Sequence, residues 1–338
     1  MMNYLLVVNS AFCTKTAKFW NKNRSTIQTQ LPDSIVYVPN SKPYKVPADL
    51  DSFDVIALVG DDKFFSLFIN SIYYHLSDKT RHKHIAFIPD RKGGVMASSL
   101  ALPGKLDKQL DLIKKKQSVF LDLIRCHFMD KKGLPRSYFV LNDVIVGIVP
   151  SKLPLVVKTL AELALHSPVL GNKKRSKSIL VTNGTDVFYT GNYVFSVVLL
   201  GNKITNGPRI PSRQKMRLNQ SAFEYFQVNS PEASGIKIPL KNFFQKEEVE
   251  TGFIFSRSFD ELSLKGEGLE NAIIADGVHL GRIPATFSFL PKALRIIAPM
   301  VMIRVTQPWK KAVKPTTVPE PIGRRTGLTR DNEDWYLN

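Results

Sequence analysis

Short apolar runs alternate with helical patterns over the first 120 residues of this 338-residue chain, and that alternation leaves few folds open. Tyr4-Leu5-Leu6-Val7-Val8 is apolar at five consecutive positions, as a strand covered on both faces of a parallel sheet must be. A helix is expected from Thr16 to Gln30, then strands at Ile35–Val38 and Asp54–Val59. A second helix runs through Phe64 to Tyr74, and a fourth strand at Ile85–Ile88 is ended by Pro89. Repeated strand–helix–strand units specify a doubly wound α/β domain. Ligands of such sheets bind outside the carboxyl ends of the strands. Three loops therefore face the crevice: Asn9 to Thr14, Gly60 to Lys63 and Pro89 to Val95.

After Lys116 the pattern changes to apolar runs separated by turns. Strands are expected at Val119–Ile124, Ser137–Val149, Ser178–Val181, Asp186–Tyr189, Tyr193–Leu200, Phe223–Val228, Ile236–Leu240 and Gly252–Phe255. One helix, Leu153 to Leu165, interrupts them. Strands in succession after a βαβ section indicate a second, antiparallel β domain, a sandwich or barrel. Asn172 to Ser178 reads as a basic insertion and Asn183-Gly184-Thr185 as a turn. Beyond Arg304 the chain is Pro-rich and basic, an extended tail.

Charge is the unusual bulk property: 47 Lys and Arg against 29 Asp and Glu, net +18. Such an excess draws polyanions, and no zinc spacing or RNA-recognition aromatic signature points to a specific nucleic acid. Cys13 and Cys126 are too few for a disulfide framework or a four-ligand metal site, so a reducing, cytoplasmic setting is expected. No apolar stretch approaches the ~18 residues a spanning helix needs, and the first ten residues lack a secretory pattern. A membrane, if met, is met peripherally. His75, His82, His84 and His279 are scattered without metal spacing. Phe243, Phe244, Phe253, Phe255 and Phe259 suit core packing, or the lining of an acyl cavity.

Several ordered segments carry a resemblance. Asp54-Val55-Ile56-Ala57-Leu58-Val59-Gly60-Asp61-Asp62-Lys63 looks like the strand and loop of a G-G-D-G-T signature, and Pro89 through Pro103 like a P-x-G-T-x-N-D stretch. Val7-Val8-Asn9 sits where an N-P-x-S-G loop begins. Asp122 resembles the entry to the second domain, Tyr138-Phe139-Val140-Leu141-Asn142 a "yFxN" segment, and Ala275-Asp276-Gly277 with Pro291 to Pro299 the D-G-E strand and closing segment. Together they resemble the diacylglycerol kinase and sphingosine kinase-like lipid kinases, of the NAD kinase-like superfamily, across roughly 300 residues. The resemblance implies an α/β nucleotide-type domain at 1–121, completed by 289–305, a β-rich lipid domain at 122–288 and a tail at 306–338. It also implies ATP phosphates on the glycine loops, magnesium on carboxylates and a base near the D-G-E site.

The departures fall on that chemistry. Ser10, Phe12 and Cys13 replace Pro, a small residue and Gly of the first loop. Val59, Asp62 and Lys63 replace Gly, Gly and Thr of the second. In the third, Arg91, Lys92, Gly94 and Val95 replace Gly, Thr, Asn and Asp. Gln220 stands for a magnesium-holding Asp and Val278 for the Glu of D-G-E. Phosphoryl transfer is largely positioning and charge neutralisation, so these losses argue against turnover. The residues left for a nucleotide are Asn9, Gly60, Asp61, Lys63, Arg91 and Lys92, with Asp276 as the candidate base. No cofactor is expected unless the chain is catalytic, in which case ATP and magnesium are. The leading expectation is a pseudokinase that binds a lipid or an anionic membrane surface. An active lipid kinase is the alternative, with Arg91, Lys92 and Lys63 as phosphate ligands. A basic module for an acidic protein partner is the third.

Overall fold

The computed structural model describes residues 2–45, 47, 49–73, 83–91, 94–130, 132–147, 177–200, 222–229, 254–266 and 271–299. The expected helix Leu153–Leu165, the strand Ile236–Leu240, most of the basic insertion and the tail lie outside them. The first part follows the alternation read from the sequence: β1 (Tyr4–Val8), α1 (Thr14–Gln30), β2 (Ser34–Tyr37), β3 (Val55–Gly60), α2 (Asp62–Tyr73), β4 (His84–Pro89), α3 (Val95–Ser99) and α4 (Leu106–Lys114). The strands are parallel in the order β2-β1-β3-β4.

Continuous apolar runs serve here because successive side chains enter opposite layers. Leu5, Val7, Ile56, Leu58, Ile85 and Phe87 pack with Phe64, Phe65, Phe68, Ile69 and Ile72 of α2. Tyr4, Leu6, Val8, Val55, Ala57, Val59, Ala86 and Ile88 pack with Ile27 of α1 and Leu110 and Ile113 of α4. Each fully buried side chain of this size contributes roughly 1.5–3 kcal/mol. Helix α4 was not read from the sequence. Its apolar residues, Leu106, Leu110, Leu112 and Ile113, are spread among five polar ones over only nine residues.

The second part is antiparallel: β5 (Ser118–Met129), β6 (Pro135–Val140), β7 (Asp143–Val146), β8 (Lys177–Asn183), β9 (Asp186–Leu199), β10 (Phe223–Asn229), β11 (Ile254–Phe259), β12 (Glu261–Lys265), β13 (Ala272–Ala275) and β14 (Val278–Ile297). Hydrogen bonding closes on itself through β14, β12, β8, β9, β7 and β13, around one core holding Tyr193, Tyr225, Phe223 and Phe287. Phe259 belongs to that core, beside Phe188 and Tyr225. The two runs expected at Asp186–Tyr189 and Tyr193–Leu200 are one strand. Strand β5 continues past Ile124 because Cys126 and Phe128 keep facing inward while His127 and Met129 face out.

Strand β14 joins the two parts. Its first half pairs with β13 and β12, most of its length with β5, and Arg295–Ile297 run parallel to His84–Ala86 of β4. Two prolines hide so long a strand from a sequence reading. Pro284 and Pro291 fall within the register shifts Arg282/Ala285 and Leu290/Leu294, where the ladder does not need their missing N–H. At Gly281 the strand presses against β5: a Cβ there would lie 2.2 Å from the Met129 carbonyl oxygen. Gly281→Ala should therefore cost about 1–3 kcal/mol of overpacking. A melting temperature equal to the parent's would show that the backbones separate freely at this corner.

Candidate functional site

The crevice lies where β1, β3 and β4 end. Asn9 follows β1, donates its amide to the Val59 carbonyl at 3.1 Å, and is buried. Tyr44 directs its hydroxyl to the Asn9 Oδ1 at 3.5 Å. At Gly60 an added Cβ would stand 2.6 Å from the Phe64 ring, so the aromatic side chain uses the space the glycine leaves. Asn9, Gly60 and Asp61 are thus brought together, but around rings rather than an open cradle. Tyr44 packs edge-on against Phe12 and Phe64, with centroids 6.1 and 5.2 Å away, and lies 6.1 Å from Phe68. Burial, and then the charge of Asp61, push the Tyr44 hydroxyl up to about 12. Lys42 covers the exposed Phe12 ring at 4.7 Å.

Three carboxylates meet the backbone and side-chain donors of this crevice. Asp61 accepts from the Phe64 amide at 2.8 Å, capping α2. Asp62 reaches across the crevice to the first amides of α3, from Val95 at 2.6 Å and Met96 at 3.4 Å. Gly94 permits that approach, since a Cβ on it would stand 2.8 Å from Asp62 Oδ1. Burial pushes the Asp62 carboxyl up, opposed by the two amides and Arg91. Asp90 takes the Thr16 hydroxyl at 2.6 Å and the Cys13 thiol at 4.0 Å. It thereby places negative charge at the start of α1, whose first turn has no acidic residue and whose N-cap, Cys13, makes no capping bond to the helix amides. Arg91 and Lys63 are exposed at the rim, and Lys92 lies outside the described residues.

Asp276 lies on the other side of α2. Positive φ at Asp276 (47°) and Gly277 (77°) builds the two-residue turn between β13 and β14, the geometry that Asp-Gly favours. The carboxylate is buried and accepts four bonds. Oδ2 takes the Ser66 hydroxyl at 2.7 Å and the Leu141 amide at 2.9 Å. Oδ1 takes the Asn142 and Asp143 amides at 2.9 and 3.2 Å. Tyr138 shares a hydrogen bond with Ser66 at 2.9 Å. Burial pushes the Asp276 carboxyl up, while these donors pull it down. The same bonds explain why the run expected at Ser137–Val149 breaks into β6 and β7: the three amides turn towards Asp276. Val278 packs against the β core.

Sequence reasoning did not find Asp90, Tyr44 or Ser66, and met Tyr138 only as part of a yFxN-like segment, not as a partner of Ser66. Their partners lie 35 to 210 residues away, beyond any local pattern. Among the described residues no group of three or more His, Cys, Asp or Glu side chains gathers as a metal site. No helix of the described residues is long and apolar enough to cross a membrane. His279 is half-buried at the start of β14, and burial, followed by the charge of Arg295, holds His84 down at about 4.

Replacing Asp276 by Asn would put an NH2 group among donors, at a cost of about 2 kcal/mol or more. Urea unfolding should show the loss, with Ser66→Ala costing about half as much. A fully stable Asp276→Asn protein would contradict the anchoring geometry.

Comparison with known proteins places this geometry in a known fold. No protein-family model and no curated protein matches the chain. A crystal structure of a diacylglycerol kinase from Bacillus anthracis str. Sterne is similar with a TM-score of 0.62 at 16% identity, covering 88% of this chain and 97% of that one. Yeast NADH kinase complexed with NADH is similar with a TM-score of 0.52 at 9% identity, covering 88% and 84%. The chain has the fold of the diacylglycerol kinase structures, of NAD kinase-like architecture.

Proposed function

We propose that this chain uses a diacylglycerol kinase fold to bind a lipid or an anionic membrane surface, not to transfer phosphate. The observation that carries the reading is the Asp62 carboxylate on the Val95 and Met96 amides. An acceptor of the protein's own thus holds the first amides of α3, in the loop where Arg91, Lys92, Gly94 and Val95 replace the Gly, Thr, Asn and Asp of the resemblance. A triphosphate arriving there would meet a carboxylate instead of free N–H groups, and like charges at such range repel.

ATP and magnesium do not fit the residues present. Of the acidic positions implied by the resemblance, Val95 and Val278 are apolar and Gln220 is an amide. Asp276 is saturated by four donors, so it is not free to hold a metal or take a proton, and Asp61, with one oxygen capping α2, is left as a single carboxylate where magnesium needs several ligands. Phe12 and Tyr44 fill the mouth of the first loop. The lipid side of the reading rests on the net charge of +18 and on the likeness to a lipid kinase fold.

Titration with ATP and magnesium, by calorimetry and thermal shift, tests this. A ligand at about a hundred times its Kd would add ~2.7 kcal/mol of stability. The expectation is no saturable heat and no rise in melting temperature at millimolar ATP. Saturable micromolar binding, with labelled phosphate appearing in extracted lipid, would overturn the reading.

A further inference from the structure

The hairpin of β5 and β6 ends in a tip built unlike an ordinary solvated turn. Met129 and Leu134, at its two sides, are 42% and 47% exposed. Single exposed apolar side chains are common and mean little. Here both flank a tip whose backbone is tied by hydrogen bonds within the loop. Asp130 does the holding: its carboxylate accepts the Lys132 amide at 2.8 Å, the Leu134 amide at 2.9 Å and Arg136 Nε at 3.1 Å. The Asp130 amide in turn donates to the Leu134 carbonyl at 2.9 Å. Gly133, with φ of 76°, has open space where a side chain would go, so the tip stands clear of the body. Among the described residues β6 pairs only with β5.

Cations surround the apolar pair. Lys132 and Arg136 are exposed on the hairpin, and Arg282, opposite Met129 on β14, is exposed beside them. The one described acid at the tip, Asp130, is turned inward on its own loop and on Arg136. A surface cleft of about 560 Å3, lined by Met129, Arg136, Ser137 and Thr286 among others, opens on the Met129 side. Apolar side chains at the head group boundary, with Lys and Arg placed to meet lipid phosphates, are the two elements of interfacial binding. An ordered tip holds both without the entropy of ordering a loop on contact.

We infer that the β5–β6 hairpin tip, with Met129, Leu134, Lys132 and Arg136, is the element that docks on an anionic bilayer surface. This rests on the proposed lipid-binding function and names the surface that carries it. The apolar pair enters the head group layer while the cations stay at phosphate level.

The test is co-sedimentation of the full chain with vesicles of phosphatidylcholine, with and without phosphatidylserine. The parent should bind only the phosphatidylserine vesicles. Met129→Ser with Leu134→Ser should weaken that binding by about tenfold or more, and Lys132→Ser by about fivefold. Melting temperatures should stay at the parent's value, because the replaced side chains are exposed. A control set on α1, Lys15→Glu with Lys18→Glu and Lys22→Glu, should leave binding within about twofold if that face is not the docking one. Parent-like binding by the Met129/Leu134 variant, or loss confined to the α1 set, would overturn the hairpin assignment alone. A parent chain that binds neither vesicle would overturn the lipid-binding reading itself.

Discussion

A backbone N–H buried at the start of a helix must find an acceptor, and in this chain carboxylates of the protein itself supply it. Asp62 serves α3, Asp61 serves α2 and Asp276 serves the turn between β6 and β7. The arrangement has consequences on both sides of α2. On the crevice side it satisfies donors that would otherwise favour an anionic ligand. On the other it ties α2, through Ser66, to the β13–β14 turn and so to the antiparallel part of the molecule.

Charge is distributed to match. Asp62, Asp122, Asp143 and Asp276 are buried, whereas Lys63, Arg91, Lys132 and Arg136 lie exposed. Buried carboxylates with several donors are stable only while those donors stay in place, since an unmet charge in such a setting is costly. Movement of the crevice loops would expose both Asp62 and the α3 amides at once.

Much of the fold was legible because its signals are local. The five apolar residues of β1 and the alternation that follows give the parallel layer almost residue for residue, and the succession of strands after Lys116 gives the antiparallel part. Features set by distant partners were not legible. Strand β14 is hidden by Pro284 and Pro291, whose tolerance depends on register shifts against β5. The site divides the same way. The replacement of glycine by Asp62 can be read from the sequence, but not that its carboxylate bonds amides 33 residues on. Asp276 stood out as the retained acid of a D-G-E-like site; its four donors come from positions 66 and 141 to 143, which no spacing rule connects to it.

The proposed reading is that Asp62 satisfies the α3 amides and leaves no seat for a triphosphate. It is tested most directly by a crystal structure of the protein soaked with magnesium and a non-hydrolysable ATP analogue. The account predicts the Asp62 carboxylate still bonded to the Val95 and Met96 amides and no triphosphate density at the strand ends. A triphosphate seated on those amides, with Asp62 swung away and a metal ion beside Asp61, would contradict it.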